Sequence, residues 1–216
     1  MKTANDRTAF IRANTALLSP PHVPEIVLHL ADDAHALWHR TEEELAEIGL
    51  PPPFWAFAWA GGQGLARYIL DNPHIVAGKR VVDFATGSGI VAIAAMKAGA
   101  AEVLASDIDP FCAAAVALNA EANGVEVGFT GRDLIGEAVD ADVLLAGDVF
   151  YEKPLADAVT RWFGECAARG VAVYAGDPGR HYMPRENLTC MATYEVPVTR
   201  VLEDAEVKRT SVWRFA

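Results

Sequence analysis

Between Arg80 and Pro178 the sequence alternates short apolar runs with longer helix-patterned segments, and this alternation constrains the fold more than any other feature. RVVDFA reads as a strand and GIVAIAAMKAG as a helix; EVLASDID and DPFCAAAVALNAEANG repeat the pair, the second helix closing at Gly124. VEVGFT and ADVLLAGD are further strands, PLADAVTRWFGECAARG a helix and VAVYAGDP a strand. Strands and helices alternating at this spacing predict a parallel sheet covered on both faces. The tail changes character: TCMATYEVPVTRV and VKRTSVWRFA are alternating runs joined by acidic LEDAE. A hairpin that finishes the sheet antiparallel is the simplest account of it.

The first fifty residues are patterned differently. DRTAFIRANTALL has helical spacing and stops at Ser19-Pro20-Pro21. EIVLHLA is a short strand, and TEEELAEIGL begins with Thr41 and Glu44 in capping-box spacing and stops at Gly49 and the Pro51-Pro52-Pro53 run. This region is too small for a core of its own. Residues 1–55 are therefore expected to form an N-terminal cover, and 56–216 the core of a single domain, as the length of 216 residues allows.

Composition excludes several function classes. A formal net charge of −11 opposes binding to bulk nucleic acid, which needs a basic footprint; an acidic surface suits a cationic partner, or serves solubility alone. Cys112, Cys166 and Cys190 are odd in number and lack CxxC spacing, so reduced thiols of a cytoplasmic protein are expected. No apolar run approaches the roughly 20 residues of a membrane span. The opening MKTANDRTAFIRANTALLSPP lacks the uninterrupted apolar stretch of a secretory signal. His35 and His39 are four apart without a third ligand, so no metal site is expected.

The stretch VVDFATGSGIVAIAAMKAGA, residues 81–100, carries the chemistry. A nucleoside triphosphate loop would need GxxxxGK followed by Ser or Thr, and no lysine stands there. Gly87-Ser88-Gly89-Ile90-Val91-Ala92 does fit a dinucleotide GxGxxA, with Asp107 at the right distance for a ribose. Against that, Asp83 stands four residues before Gly87, where a carboxylate would crowd a pyrophosphate that wants the positive end of the helix. A cationic sulfonium compound with an α-ammonium group has no such conflict.

Asp83-Phe84-Ala85-Thr86-Gly87-Ser88-Gly89 thus resembles the first motif of the seven-β-strand class I methyltransferases. The resemblance implies an α/β fold built on a Rossmann-like, doubly wound seven-stranded sheet, mostly parallel with a C-terminal antiparallel hairpin, and S-adenosylmethionine as cofactor. It assigns Asp83, Gly87 and Gly89 to the cofactor turn, Asp107 to both ribose hydroxyls and Asp133 to the adenine amino group. A carboxylate accepting two charge-assisted hydrogen bonds from a vicinal diol suits the role given to Asp107. Asp109, before Pro110, fits the helix N-cap better than Asp107 does.

In an open α/β sheet ligands bind beyond the carboxyl ends of the strands, and ADVLLAGD delivers Asp148-Val149-Phe150-Tyr151 to that edge. A carboxylate flanked by rings can cradle a lysine, the rings holding the stem and the carboxylate fixing the amine. This tetrad fits the D/E-x-x-Y/F motif of protein methyltransferase family 16 and lacks the prolines of the D/N-P-P-Y/F motif. PPPFWAFAWAGGQGLARYIL is similar to the segment preceding the first motif there, with Trp59 at the family's tryptophan, either a wall of the cofactor site or core packing before the sheet. Over roughly residues 40 to 180 the likeness is to the electron transfer flavoprotein β-subunit lysine methyltransferases, in a bacterial-type form.

That resemblance implies a protein-lysine N-methyltransferase with a protein partner and no nucleic-acid or membrane partner; the alternatives are a methyltransferase of ribosomal protein lysines or of a small amine, as in related branches, and a nucleotide-binding oxidoreductase on the same fold. It gives Asp148 and Tyr151 catalytic roles, and Asp148, Phe150 and Tyr151 contact with substrate. An anion beside an amine favours the ammonium form, so Asp148 is expected to capture and orient the lysine while water takes the proton. Gly61, Gly62 and Gln63 are expected either at the amino-acid end of the cofactor or in a turn, and His181 beside the substrate channel or in a surface loop.

Overall fold

The computed structural model describes residues 3–31, 52–184, 186–198 and 205–216. The chain opens with α1 (Ala4–Asn14), β1 (Ala16–Leu18) and β2 (Leu28–Leu30), and after a 3-10 turn at Phe54–Ala56 enters α2 (Ala60–Asp71). There follow β3 (Arg80–Phe84), α3 (Ile90–Lys97), β4 (Glu102–Ser106), α4 (Pro110–Asn123), β5 (Gly128–Thr130), β6 (Val143–Gly147), α5 (Lys153–Ala168), β7 (Ala172–Asp177), β8 (Leu188–Pro197) and β9 (Val207–Phe215). The expected strand–helix alternation is therefore present.

Seven strands form one sheet in the order β5-β4-β3-β6-β7-β9-β8, the first five parallel and the last two antiparallel. The hairpin folds back so that β9, not β8, lies beside β7. Burial explains this order: Thr210, Val212 and Phe215 of β9 are buried, whereas most of β8 is at least partly exposed, as suits an edge strand. Alternation along the strands sorts the core into two layers. Val81 and Leu145 join Leu65, Ile69 and Ile93 on the face covered by α2 and α3; Val82 and Leu144 join Trp162 and Phe163 on the face covered by α5. A third cluster of Ile11, Trp55, Phe57, Phe111 and Leu118 attaches α1 to α4.

Two expectations for the N-terminal half are revised. The first helix ends at Asn14, where the Thr15 hydroxyl donates to the Ile11 carbonyl at 2.6 Å, and Leu17-Leu18 instead belong to β1, paired antiparallel with β2. Gly61 and Gly62 form no turn; they lie in the first turn of α2. That helix starts against the ends of β6 and β7: a Cβ at Gly61 would meet the Gly176 carbonyl oxygen and, at 2.8 Å, Asp148 N, while one at Gly147 would lie 2.7 Å from Gly62 Cα. Only glycine permits this backbone-on-backbone contact. The capping box at Thr41 and Glu44 and the pair His35 and His39 lie outside the described residues.

Candidate active site

The chain runs outward from β3 through β4 to β5, then returns to the other side of β3 to form β6. Connections leaving β3 and β6 therefore diverge, opening a crevice at their carboxyl ends. The glycine turn borders it on one side and Asp148 on the other.

Ala85 (φ 53°), Gly87 (φ 52°) and Gly89 (φ 83°) bring the chain from β3 into α3 through left-handed backbone. Asp83 fixes that bend from beneath. Its Oδ2 accepts from the Ala92 N–H at 3.0 Å and from the Thr86 hydroxyl, while Oδ1 is buried without a partner. Burial raises its carboxyl to about 7 against these hydrogen bonds, and the nearby Asp107 charge adds to the rise. Asp107 clasps the other side of the turn, Oδ2 accepting from Gly87 N and Oδ1 from Asp109 N, each at 3.0 Å. Asp109 caps α4 through Phe111 N at 2.8 Å, as expected from the sequence. Beyond Asp107, Ile108 is 72% exposed, an apolar platform at the crevice rim that sequence reasoning missed. Asp133 is exposed and accepts from Ile135 N at 3.0 Å, closing a local turn in the loop after β5.

Trp59 is the N-cap residue of α2, half-buried, with Nε1 donating to the Phe54 carbonyl at 3.0 Å. Its ring meets Phe54 at 5.7 Å and Phe57 at 5.8 Å, and Phe54 in turn meets Tyr151 at 5.7 Å. Tyr151 is 43% exposed, and its phenol is raised by burial and by the charges of Glu152, Asp107 and Asp148. The aromatic wall thus consists of Phe54, Trp59 and Tyr151. Phe54 was legible only as part of an apolar FW pair after three prolines. The expectation for Phe150 is corrected: it is fully buried against Phe163 and Phe215 in the α5 layer, and offers no face to a ligand.

Asp148 follows β6 in left-handed backbone (φ 62°) and is 7% exposed. Strain of this kind persists only where surroundings over-determine it, and here they do. Its N–H donates to the Gly176 carbonyl at 2.9 Å, Oδ2 accepts from Gly61 N at 2.7 Å, and Oδ1 accepts from Arg180 Nε at 2.6 Å. At the end of neighbouring β7 stands a second acid, Asp177, whose carboxyl is raised to about 6 chiefly by burial. Its Oδ1 accepts from Gly179 N (2.7 Å) and Arg180 N (2.8 Å), and its Oδ2 is buried without a partner. Neither Asp177 nor Arg180 was singled out from the sequence. His181 packs edge-on against Tyr182 at 4.8 Å in the exposed loop that follows.

A cofactor with positive charge fits these residues. Asp83 Oδ1 is a buried acceptor with no partner, and so is Oε1 of Gln63, in the first turn of α2 where Gly62 lies against Ile90 at the start of α3. The Gly87 N–H, which a phosphate would need, is already held by a carboxylate. The described residues contain no group of three or more His, Cys, Asp or Glu able to hold a metal ion, and no helix among them is long and apolar enough to cross a membrane.

The family model for ribosomal protein L11 methyltransferase (PrmA) matches residues 67–151. The chain is 39% identical to the electron transfer flavoprotein beta subunit lysine methyltransferase of Xenopus laevis, over 96% of this chain and 86% of that one. It is 36% identical to the protein of the same description from Danio rerio, over 98% and 84%. Among solved structures, magnesium protoporphyrin IX methyltransferase from Synechocystis PCC 6803 superposes with a TM-score of 0.55 at 14% identity, covering 100% of this chain and 92% of that one, a likeness of fold. With relatives this similar along nearly its whole length, the chain belongs to the electron transfer flavoprotein β-subunit lysine methyltransferase family.

Proposed function

We propose that this chain uses S-adenosylmethionine to methylate lysine side chains of the electron transfer flavoprotein β-subunit. The observation that carries the reading is the extent of the likeness: it spans the first strands and the terminal hairpin as well as the cofactor half. The L11 methyltransferase match stops at Tyr151 and begins at Arg67, within the part that holds the cofactor. It favours ribosomal protein lysines as a second reading. A net charge of −11 supports a cationic protein target over a nucleic acid. The three free cysteines fit a reducing compartment, and we assign the reaction to the cytoplasm.

In this reading Trp59, Asp83, Gly87, Gly89, Asp107 and Asp133 hold the cofactor, and Asp148 and Tyr151 serve the lysine. When bound, S-adenosylmethionine supplies a sulfonium-activated methyl group, and the lysine nitrogen forms the new N–C bond as the S–C bond breaks and its electron pair returns to sulfur. The residues of the chain bind, orient and exclude water. Asp107 offers a carboxylate already fixed at the turn, and its bonds to Gly87 and Asp109 keep it aimed. Tyr151 and Phe54 form an apolar rim along which a lysine stem packs. Asp148 orients the amine, and water receives its proton before transfer, because a free lysine with a pKa near ~10.4 arrives charged.

The test is incubation of the protein with S-adenosylmethionine and purified electron transfer flavoprotein β-subunit, followed by peptide mass mapping. Methyl groups on lysines of the β-subunit are expected. Modification of ribosomal protein L11 in its place, or of neither protein, would overturn the assignment of target.

A further inference from the structure

Arg180 is unaccounted for by the reading above, yet it makes the shortest ion pair to the acid at the centre of the site. Its Nε lies 2.6 Å from Asp148 Oδ1, and its side chain is 23% exposed against 6% for Asp148. Its backbone is equally defined. Asp177, at the last position of β7, accepts from both Gly179 N and Arg180 N, and Gly179 takes a left-handed φ of 87° to allow it. The end of β7 thus builds a tight turn that delivers one guanidinium to the acid at the end of β6. The Gly61 N–H at the start of α2 holds the other oxygen of that acid.

The consequence follows from charge. A lone carboxylate captures an ammonium well but also stabilises it, and a protonated lysine has no lone pair to attack with. Arginine stays protonated at any pH at which the protein is folded. Asp148 has four lone-pair positions, two of them occupied by Gly61 N and Arg180 Nε, so it can still accept from an amine. We propose that Arg180 is a positioning residue of the methyl-transfer site: it fixes the Asp148 carboxylate and offsets its charge, so that the acid orients the incoming lysine without holding its proton.

The other groups facing this point set the baseline. Asp177 at the end of β7 adds negative charge, as does Asp107 across the crevice, while the start of α2 contributes the positive end of a helix dipole. Tyr151 and Glu152 flank the acid along the chain, and His181 follows Arg180. Among these neighbours Arg180 is the fixed cation bonded directly to Asp148, and removing it takes away the positive charge that offsets Asp148 and the nearby Asp177.

This inference rests on Asp148 serving the lysine, and the experiment separates the two. The pH dependence of kcat, which reports groups of the enzyme–substrate complex, is measured for wild type, Arg180→Gln, Arg180→Lys and Asp148→Asn with purified electron transfer flavoprotein β-subunit. Binding of S-adenosylhomocysteine and thermal unfolding are followed alongside. In Arg180→Gln the rising limb of kcat is expected to move up by about one to two pH units, the order set by one charge roughly 6–12 Å away at an effective dielectric of about 20. Turnover near neutral pH then falls about tenfold to a hundredfold and recovers at high pH. Arg180→Lys, which keeps the charge, leaves the limb in place. A uniform loss at every pH, an unshifted limb, or a neutral variant that does not fold would make Arg180 a structural buttress and overturn the proposal. Asp148→Asn with undiminished turnover would instead sink the role of Asp148 itself, whatever Arg180 does.

Discussion

Substituting Gly61 by alanine adds a single methyl group, and the structure makes that methyl group expensive. The new Cβ would stand 2.8 Å from Asp148 N and 2.9 Å from Asp148 Oδ2, and closer still to the Gly176 carbonyl oxygen. Two of those three atoms are backbone, one in β7 and one directly after β6, so neither can step aside as a flexible side chain would. Overpacking of this kind costs about 1–3 kcal/mol. Shifting α2 to relieve it breaks the 2.7 Å bond from Gly61 N to the Asp148 carboxylate, which is worth about 1.5–3 kcal/mol. Alanine's helical advantage over glycine returns about 0.5–1 kcal/mol. Whichever way the clash is met, the net expectation is a loss of about 1–2 kcal/mol, or roughly 2–8 °C in Tm for a chain of this size.

Gly164, inside α5, is the control. A Cβ there has nothing within 4 Å, so Gly164→Ala is expected to gain about 0.5–1 kcal/mol. Urea unfolding of both variants, with methyl transfer measured in parallel, reads the difference. Two helical glycines should respond with opposite signs, and only Gly61→Ala should impair turnover. Equal stability of Gly61→Ala and wild type would refute the close seating of α2 on β6 and β7.

Three further outcomes follow from the cofactor side. Ala85 holds left-handed backbone without being glycine, so Ala85→Gly is expected to stabilise the protein by about 0.5–1 kcal/mol, read as a raised urea midpoint. Burial lifts the Asp83 carboxyl from 3.8 to about 7, so the folded chain retains a proton that the unfolded chain releases near pH 4. This group's contribution to stability therefore declines as pH rises from about 4 to about 7 and is level above it. Asp109 and Asp177, both raised to about 6 by burial, act in the same direction, and Asp83→Asn should flatten the decline in a pH series of unfolding curves. Asp107→Ala removes the acceptor for Gly87 N and Asp109 N, and calorimetric titration should find S-adenosylhomocysteine affinity reduced by about tenfold or more.

Much of the fold was legible because local signals and tertiary contacts agree. The strand–helix alternation, the glycine bend after Asp83, the Asp109 cap and the closing Gly124 are each set by nearby residues. What escaped reading depends on distant partners. Leu17-Leu18 extend a helical spacing but pair with β2, because the Thr15 side chain ends the helix. Phe150 falls two residues after Asp148, whose left-handed backbone breaks the alternation and turns the ring into the core. Gly61 and Gly62 read equally as contacts for the amino-acid end of the cofactor or as a turn, and only the ends of β6 and β7 lying against them explain why glycine stands there. Arg180 is 32 residues from Asp148, and only the adjacency of β6 and β7 joins them.

The most direct measurement pairs cofactor binding with methyl transfer in Asp148→Asn. The variant keeps the size of the side chain and an acceptor for Gly61 N while removing the charge that meets the amine. S-adenosylhomocysteine affinity should stay within about threefold of wild type, less than 1 kcal/mol, while transfer to the electron transfer flavoprotein β-subunit falls by about 100-fold or more, the scale of losing a group that acts on the reacting amine. Wild-type turnover in that variant, or loss of cofactor binding together with turnover, would contradict a site divided between a cofactor turn at Asp83 to Asp107 and a lysine seat at Asp148.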